Sequence, residues 1–124
     1  MNARTLLMSA LALQSLPAAP ALAGDTAVGK RVYEEECMEC HSINGRNKKG
    51  PTLVGALGRK AGTVKDYEGN SDAMKASNIV WNEDALNKYL AAPKKLVPGT
   101  KMKYDGLADA KSRMDVIAFI STLK

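Results

Sequence analysis

The segment that most constrains this chain is Cys37-Met38-Glu39-Cys40-His41. It holds both cysteines and the only histidine among the 124 residues. Cys-x-x-Cys-His is the attachment signature of a c-type haem, in which each thiol adds to a vinyl group of the porphyrin as a thioether. The histidine that follows lies under the ring, where its imidazole binds the iron. The spacing therefore predicts one covalent haem c, attached through Cys37 and Cys40, with His41 as an axial ligand.

Other chemistries of cysteine and histidine fit the composition less well. A closed zinc site needs four ligands, usually Cys and His, and this chain has three such residues. Blue copper needs two histidines and one cysteine, so a single histidine excludes it, as it excludes a haem held by two histidines. A Cys37–Cys40 disulfide without haem stays open, and so does a thioredoxin-like redox pair, although no βαβ pattern accompanies it.

The first residues have the pattern of a secretory signal peptide. Arg4 precedes an apolar run at 6–13, prolines follow, and Ala21-Leu22-Ala23 fits a cleavage site. The alternative is a membrane anchor, but the run is well short of the ~20 residues that span a bilayer. We expect 1–23 to be removed after Ala23 in export to the periplasm, leaving one domain at 24–124.

Apolar residues at helical spacing predict an all-α domain without strands. Asp25 is expected to cap a helix running to about Cys37, and the last helix should run from about Ala108 to Leu123 and cross the first at Gly29 and Tyr33. Two further helices are predicted: a short one capped by Asn70 or Ser71 and ending near Ala76, and one that Asn82 caps and Pro93 stops. Loops are expected at 42–69 and 94–105.

A haem with one histidine needs a sixth ligand or leaves the iron open. Methionine is the soft ligand that pairs with histidine in cytochromes c. Met102 follows Pro98-Gly99, which is typical of a type II turn that could direct the side chain inward. Met74 and Met114 lie in predicted helices and are expected to pack there, so Met102 is the predicted sixth ligand.

Seven motifs together resemble the class I cytochromes c, of the mitochondrial cytochrome c and bacterial cytochrome c2 type. They are Cys37-x-x-Cys40-His41, Gly50-Pro51-x-Leu53, Gly58-Arg59, Ile79-x-Trp81, Leu86-x-x-Tyr89-Leu90-x-x-Pro93, Pro98-Gly99-Thr100-Lys101-Met102 and Asp115-x-Ile117-Ala118-Phe119. The resemblance covers about Gly24 to Leu123. It implies a small cytochrome c fold, with crossing terminal helices and loops wrapped around one covalently bound haem.

The resemblance also implies individual roles. Pro51 would accept the His41 ring N–H at its carbonyl oxygen and so orient the ligand. Arg59 and Trp81 would hold a haem propionate, with Asn70 or Ser71 in place of a tyrosine that mitochondrial members have there. Further residues near the ring are Tyr89 and Thr100, which would hydrogen-bond on the Met102 side, and Tyr104, which would cover the exposed haem edge.

These features predict a one-electron carrier between respiratory or photosynthetic redox complexes, not an enzyme. With His41 on the iron there is no spare histidine for acid–base chemistry. The competing hypothesis is a haem enzyme or ligand-binding cytochrome c, resembling a peroxidase, with a labile methionine.

The formal charge of +5 favours acidic redox proteins as partners. The lysines do not form one basic helix face, so we expect no nucleic-acid binding, no stable membrane insertion and a monomer. The lysines expected to surround the haem edge and dock the partner are Lys48, Lys49, Lys94, Lys95, Lys101 and Lys103. Ordinary solvated lysines remain the alternative interpretation.

Overall fold

Five helices account for the regular structure of the domain. The computed structural model describes residues 11–16 and 24–124. The helices are α1 Thr26–Glu36, α2 Asp72–Ala76, α3 Glu83–Ala91, α4 Pro93–Leu96 and α5 Ala110–Ser121. Within the described residues no strand forms, and the only β-type pairing is one antiparallel bridge between Lys60 and Val80. The predicted all-α class is confirmed.

The helices begin where short polar side chains can satisfy free backbone N–H groups. The Asp25 carboxylate accepts from Ala27 and Val28, and the Asn82 side chain accepts from Ala85, as predicted. Of the two candidates for α2, Ser71 is the cap, because its hydroxyl accepts from the Met74 N–H at 2.9 Å.

Two predicted elements, the loop at 94–105 and the last helix, have other bounds in the structure. Residues 94–105 were expected to be a loop after Pro93, but Pro93 begins α4. Proline is tolerated at the first position of a helix because that N–H has no partner within the helix. The last helix starts at Ala110 and not at Ala108, because the Asp109 carboxylate caps it by accepting from Ser112 N at 2.9 Å, and it ends at Ser121 and not at Leu123.

The terminal helices cross at Gly29, as predicted. A Cβ atom at Gly29 would clash with the Asp115 carbonyl oxygen and lie 2.9 Å from the Cβ of Phe119. Only glycine lets the two backbones come this close. Beside the contact, the rings of Tyr33 and Phe119 pack with centroids 5.7 Å apart, and Val116 is fully buried.

A buried carboxylate reinforces this crossing. Asp115 on α5 accepts the Asp25 N–H at 2.8 Å and the Lys111 ammonium at 2.8 Å, although only 2% of the residue is exposed. The pKa of Asp115 is lowered, first by the Lys111 hydrogen bond and then by the Asp25 N–H. The carboxylate therefore joins the start of α1 to α5, a contact that the sequence did not predict.

The long loop after the cysteine motif is ordered by backbone hydrogen bonds. Gly58 N donates to Trp81 O at 2.7 Å, Trp81 N to Arg59 O at 2.9 Å and Ala61 N to Ile79 O at 2.8 Å. The segment 58–61 thus lies antiparallel to 79–81. Gly55 N also donates to Leu123 O at 2.8 Å, which ties the loop to the residues that follow α5.

The predicted signal peptide lies mostly outside the described residues. Only residues 11–16 are described there; they form neither helix nor strand, and Leu11, Leu13 and Leu16 are exposed. Among the described helices, none has the length and apolar composition needed to cross a bilayer.

Candidate haem site

The cysteine motif forms a tight turn directly after α1. Cys37 caps the C-terminus of that helix, and both Cys40 N and His41 N donate to Cys37 O, at 3.1 and 2.9 Å. Both cysteines are half-buried and neither is in a disulfide. The turn keeps the two thiols and the imidazole of His41 in one short segment whose position is set by the end of α1.

The Cys37 thiol has the properties of a structural cysteine. Burial raises its pKa to about 11, and the negative charges of Glu36 and Cys40 add to the effect. Redox-active Cys-x-x-Cys pairs depend on a lowered thiol pKa. The environment of Cys37 therefore opposes the thioredoxin-like alternative.

The hydrogen bonds of His41 select one tautomer. Its Nδ1 lies 2.8 Å from Pro51 O, which can only accept, so Nδ1 carries the proton and the Nε2 lone pair is free for a metal. Burial lowers the pKa of His41, opposed by the Pro51 hydrogen bond and aided by Arg59 and Lys48. The Tyr33 hydroxyl also donates to His41 O at 2.7 Å, which ties the ligand to α1.

Met102 lies in a segment organised by Thr100. Thr100 N donates to Val97 O at 3.0 Å and Gly99 has a φ of 91°, which agrees with the predicted type II turn at Pro98-Gly99. Thr100 Oγ1 lies 2.7 Å from the Tyr89 hydroxyl and accepts from Met102 N at 3.3 Å. The half-buried Met102 packs against the hydrophobic core, whereas Met114 is 45% exposed.

A chain of contacts leads from Thr100 through Tyr89 and Trp81 to Arg59. The rings of Tyr89 and Trp81 are 4.9 Å apart, and the backbone of Trp81 pairs with that of Arg59. The Arg59 guanidinium donates to Thr52 O at 3.1 Å and Val54 O at 3.3 Å, which leaves three of its five N–H groups for another acceptor. Half-buried Asn70 directly precedes the Ser71 cap of α2.

This donor set fits a c-type haem. It combines two free thiols, an imidazole with a free Nε2, a half-buried thioether and a half-buried cation suited to a carboxylate. A protein-family model described as cytochrome c matches residues 26–124. The chain belongs to the cytochrome c family. It is therefore an electron carrier that binds haem c covalently through Cys37 and Cys40, as predicted.

Relatives from distant organisms align with this chain over nearly the whole of their own length. Cytochrome c of Euglena viridis is 47% identical over 82% of this chain and 99% of its own, and cytochrome c2 of Rhodopila globiformis is 47% identical over 82% and 95%. Among solved structures, cytochrome cH from Methylobacterium extorquens has a TM-score of 0.75 and 43% identity over 80% of this chain and 99% of its own. These matches confirm the predicted family and its small cytochrome c fold.

Three residues near the site were missed in the sequence analysis. Gly50 was quoted only as part of a motif, yet a Cβ atom there would lie 2.7 Å from Nδ1 and 2.8 Å from Nε2 of His41. Asn47 links two parts of the long loop, because its amide donates to Lys65 O at 3.1 Å and accepts from Thr52 N at 3.0 Å. Glycine before Pro51 was a usable signal for the first, whereas no local pattern marked Asn47.

The third missed residue is Glu36, which was grouped with the solvated acids of α1. Its carboxylate accepts from the Tyr104 hydroxyl at 3.0 Å. Burial and this hydrogen bond raise the pKa of Tyr104 above its usual range, so the phenol stays protonated as the donor. Residues 68 positions apart in sequence gave no signal for this contact.

The six lysines predicted to dock a partner are all exposed. Lys94 and Lys95 lie on α4, and Lys101 and Lys103 flank Met102. On the side of the cysteine motif, Lys49 pairs with Glu39 at 3.4 Å and Lys48 donates to Met38 O at 2.6 Å. The lysines near Met102 and those near the cysteine motif therefore differ in their surroundings.

Proposed function

We propose that this cytochrome c carries one electron at a time on an iron whose axial ligands are His41 and Met102. The observation that carries the proposal is the hydrogen bond from His41 Nδ1 to Pro51 O, which leaves Nε2 free for the iron. Bound haem supplies the Fe(II)/Fe(III) couple, and a thioether as the sixth ligand raises the potential of that couple.

The surrounding residues have supporting roles in the proposal. Pro51 and Gly50 fix the imidazole orientation, while Tyr89 and Thr100 fix the segment that carries Met102. Arg59, Trp81 and Asn70 stabilise an inner propionate in the interior, for which the guanidinium has N–H groups to spare. Since both axial positions are filled by the protein, substrate is kept from the iron.

The proposal includes location and partners. Cleavage after Ala23 and export place the carrier in the periplasm, where it shuttles electrons between respiratory or photosynthetic complexes. Acidic redox proteins dock where Lys94, Lys95, Lys101 and Lys103 surround the haem edge, with Lys48 and Lys49 on the other side. Steering of this kind acts on the association rate more than on affinity.

The test combines intact mass with oxidised and reduced absorption spectra of exported protein. We expect a chain that starts at Gly24 and carries one covalent haem, with low-spin ferric iron. Met102→Ala should keep the haem attached, lower the reduction potential and bind added cyanide rapidly. Met74→Leu and Met114→Leu serve as controls. Both should keep the haem attached and leave the reduction potential and the rate of cyanide binding unchanged.

Three results would contradict the proposal. A mass without haem would favour the disulfide or redox pair. High-spin ferric iron in the wild-type protein at neutral pH would favour the peroxidase-like alternative. Loss of low-spin iron in Met114→Leu but not in Met102→Ala would mean that the sixth ligand was wrongly assigned.

A further inference from the structure

The segment that carries Met102 is anchored to α3 on both sides of the methionine. Before Met102, the Thr100 hydroxyl pairs with that of Tyr89 on α3 at 2.7 Å. After it, Leu107 N donates to Leu90 O, also on α3, at 2.7 Å. These contacts leave Met102 on the span 101–106, which neither of them fixes to α1 and which we call the free span.

One side-chain hydrogen bond joins this span to the opposite side of the site. Tyr104, two residues after Met102, donates to Glu36, the last residue of α1, at 3.0 Å. Glu36 directly precedes Cys37, so the bond connects the methionine segment with the helix that carries the attachment motif. Among the described residues it is the only hydrogen bond between 97–109 and the segment 26–41.

We propose that the Glu36–Tyr104 hydrogen bond is a closing contact that holds Met102 in position on the iron. This inference rests on the proposed ligation of the iron by Met102. A phenol that donates to a carboxylate forms a charge-assisted hydrogen bond, which is stronger than one between neutral groups. Since α1 is fixed by its crossing with α5, the contact gives the free span a rigid point of attachment next to Cys37. Tyr104 and Glu36 are thus positioning residues.

The contact should be measurable as the rate at which an outside ligand reaches the iron. Cyanide binds ferric iron only after Met102 has left it, so the observed rate reports opening of the span. Because Glu36 is exposed, we expect Tyr104→Phe to raise this rate about threefold to tenfold, the range that one modest hydrogen bond allows. The phenylalanine ring keeps the packing of Tyr104 and removes only the hydroxyl.

A set of variants separates the hydrogen bond from the charge. Glu36→Ala should match Tyr104→Phe, and Glu36→Gln, which keeps an acceptor, should lie between them and the wild type. Adding Glu36→Ala to Tyr104→Phe should produce no further increase. Glu35→Ala is the control, because it removes an exposed acid of the same helix but leaves the hydrogen bond between Glu36 and Tyr104 in place.

The experiment uses ferric holoprotein in stopped-flow mixing with cyanide, with the Met–Fe(III) absorption band as a second readout. Wild-type rates in Tyr104→Phe and Glu36→Ala would overturn the inference while the Met102 assignment stands. Additive effects in the double variant, or an equal increase in Glu35→Ala, would also overturn it, since charge alone would then act. If wild-type protein bound cyanide as fast as Met102→Ala, both this inference and the proposed ligation would fail.

Discussion

The crossing of α1 with α5 and the segment 97–109 show two different ways of holding a chain in place. The crossing joins backbone to backbone at Gly29, buries Val116 and Phe119 and contains the buried Asp115 carboxylate. The segment 97–109 has no helix. Its side-chain hydrogen bonds to α1 and α3 are those of Thr100 with Tyr89 and of Tyr104 with Glu36, and Val97, Met102 and Leu107 add apolar contacts with the core.

The difference separates stability from ligation. Apolar burial at the crossing is worth about 25 cal/mol for each Å² removed from water and does not depend on the iron. The methionine segment buries less, with Val97 as its one buried side chain, and gains hydrogen bonds of about 1 kcal/mol each. We therefore expect the proposed bond between iron and Met102 to be a major part of what holds it. Changes at the crossing should lower the free energy of unfolding, whereas changes in the segment should let an outside ligand reach the iron faster.

The largest effect is expected at the crossing. Gly29→Val puts a branched side chain where a Cβ atom already clashes with the Asp115 carbonyl, so the helices must separate. We expect a loss of at least about 2 kcal/mol in the free energy of unfolding of the holoprotein, measured with urea. Lys30→Ala, at the next and exposed position, should change it little. Equal stability in the two variants would show that the crossing is not tight.

A smaller effect, dependent on pH, is expected from Asp115→Asn. The pKa of Asp115 is lowered in the folded state, so its ion pair with Lys111 stabilises the fold above the unfolded value of about 3.9. This contribution is lost as the pH falls through the folded-state pKa. Urea midpoints of wild type and Asp115→Asn should therefore differ at neutral pH and converge in acid. A gap that stays constant would exclude the ionised carboxylate as the cause.

In the methionine segment, Thr100→Val should lower stability modestly and should clearly raise the rate at which cyanide binds the iron. The substitution removes the oxygen that pairs with Tyr89 and accepts from Met102 N while keeping a similar shape. We expect a loss of about 1 kcal/mol in unfolding free energy. Cyanide binding to ferric iron should be faster than in wild type. A large stability loss with unchanged cyanide binding would reverse the assigned roles of the two regions.

The smallest effect on the fold is expected from surface charge. Lys101→Glu and Lys95→Glu should leave stability unchanged but slow electron transfer to an acidic partner and flatten its dependence on salt, since the Debye length is about 8 Å at physiological ionic strength. Lys124→Glu, beyond the end of α5, is the control and should matter less. Lys111 is unsuitable as a control because it pairs with Asp115. Equal slowing by all three substitutions would mean that only net charge counts.

The sequence was most informative where one local pattern determines the structure. Cys-x-x-Cys-His predicted the haem, Gly29 in an apolar stripe predicted the crossing, and Pro98-Gly99 predicted the turn before Met102. The start of α4 was missed because a proline ends one helix as readily as it begins another. The contacts of Asp115, Asn47 and Glu36 join distant parts of the chain, and their partners are chosen by the fold and not by neighbouring residues.

Hydrogen exchange of the holoprotein, compared between wild type and Met102→Ala, tests the separation of the two regions most directly. Amides at the crossing, in α1 and α5, should exchange slowly in both proteins. Apolar burial and the close backbone contact at Gly29 keep these helices together without the iron–methionine bond. Amides of 97–109 should be protected in wild type and exchange faster once Met102 is removed. Equal acceleration in α1, α5 and 97–109 would contradict the account, because the iron–methionine bond would then hold the whole fold and not one segment of it.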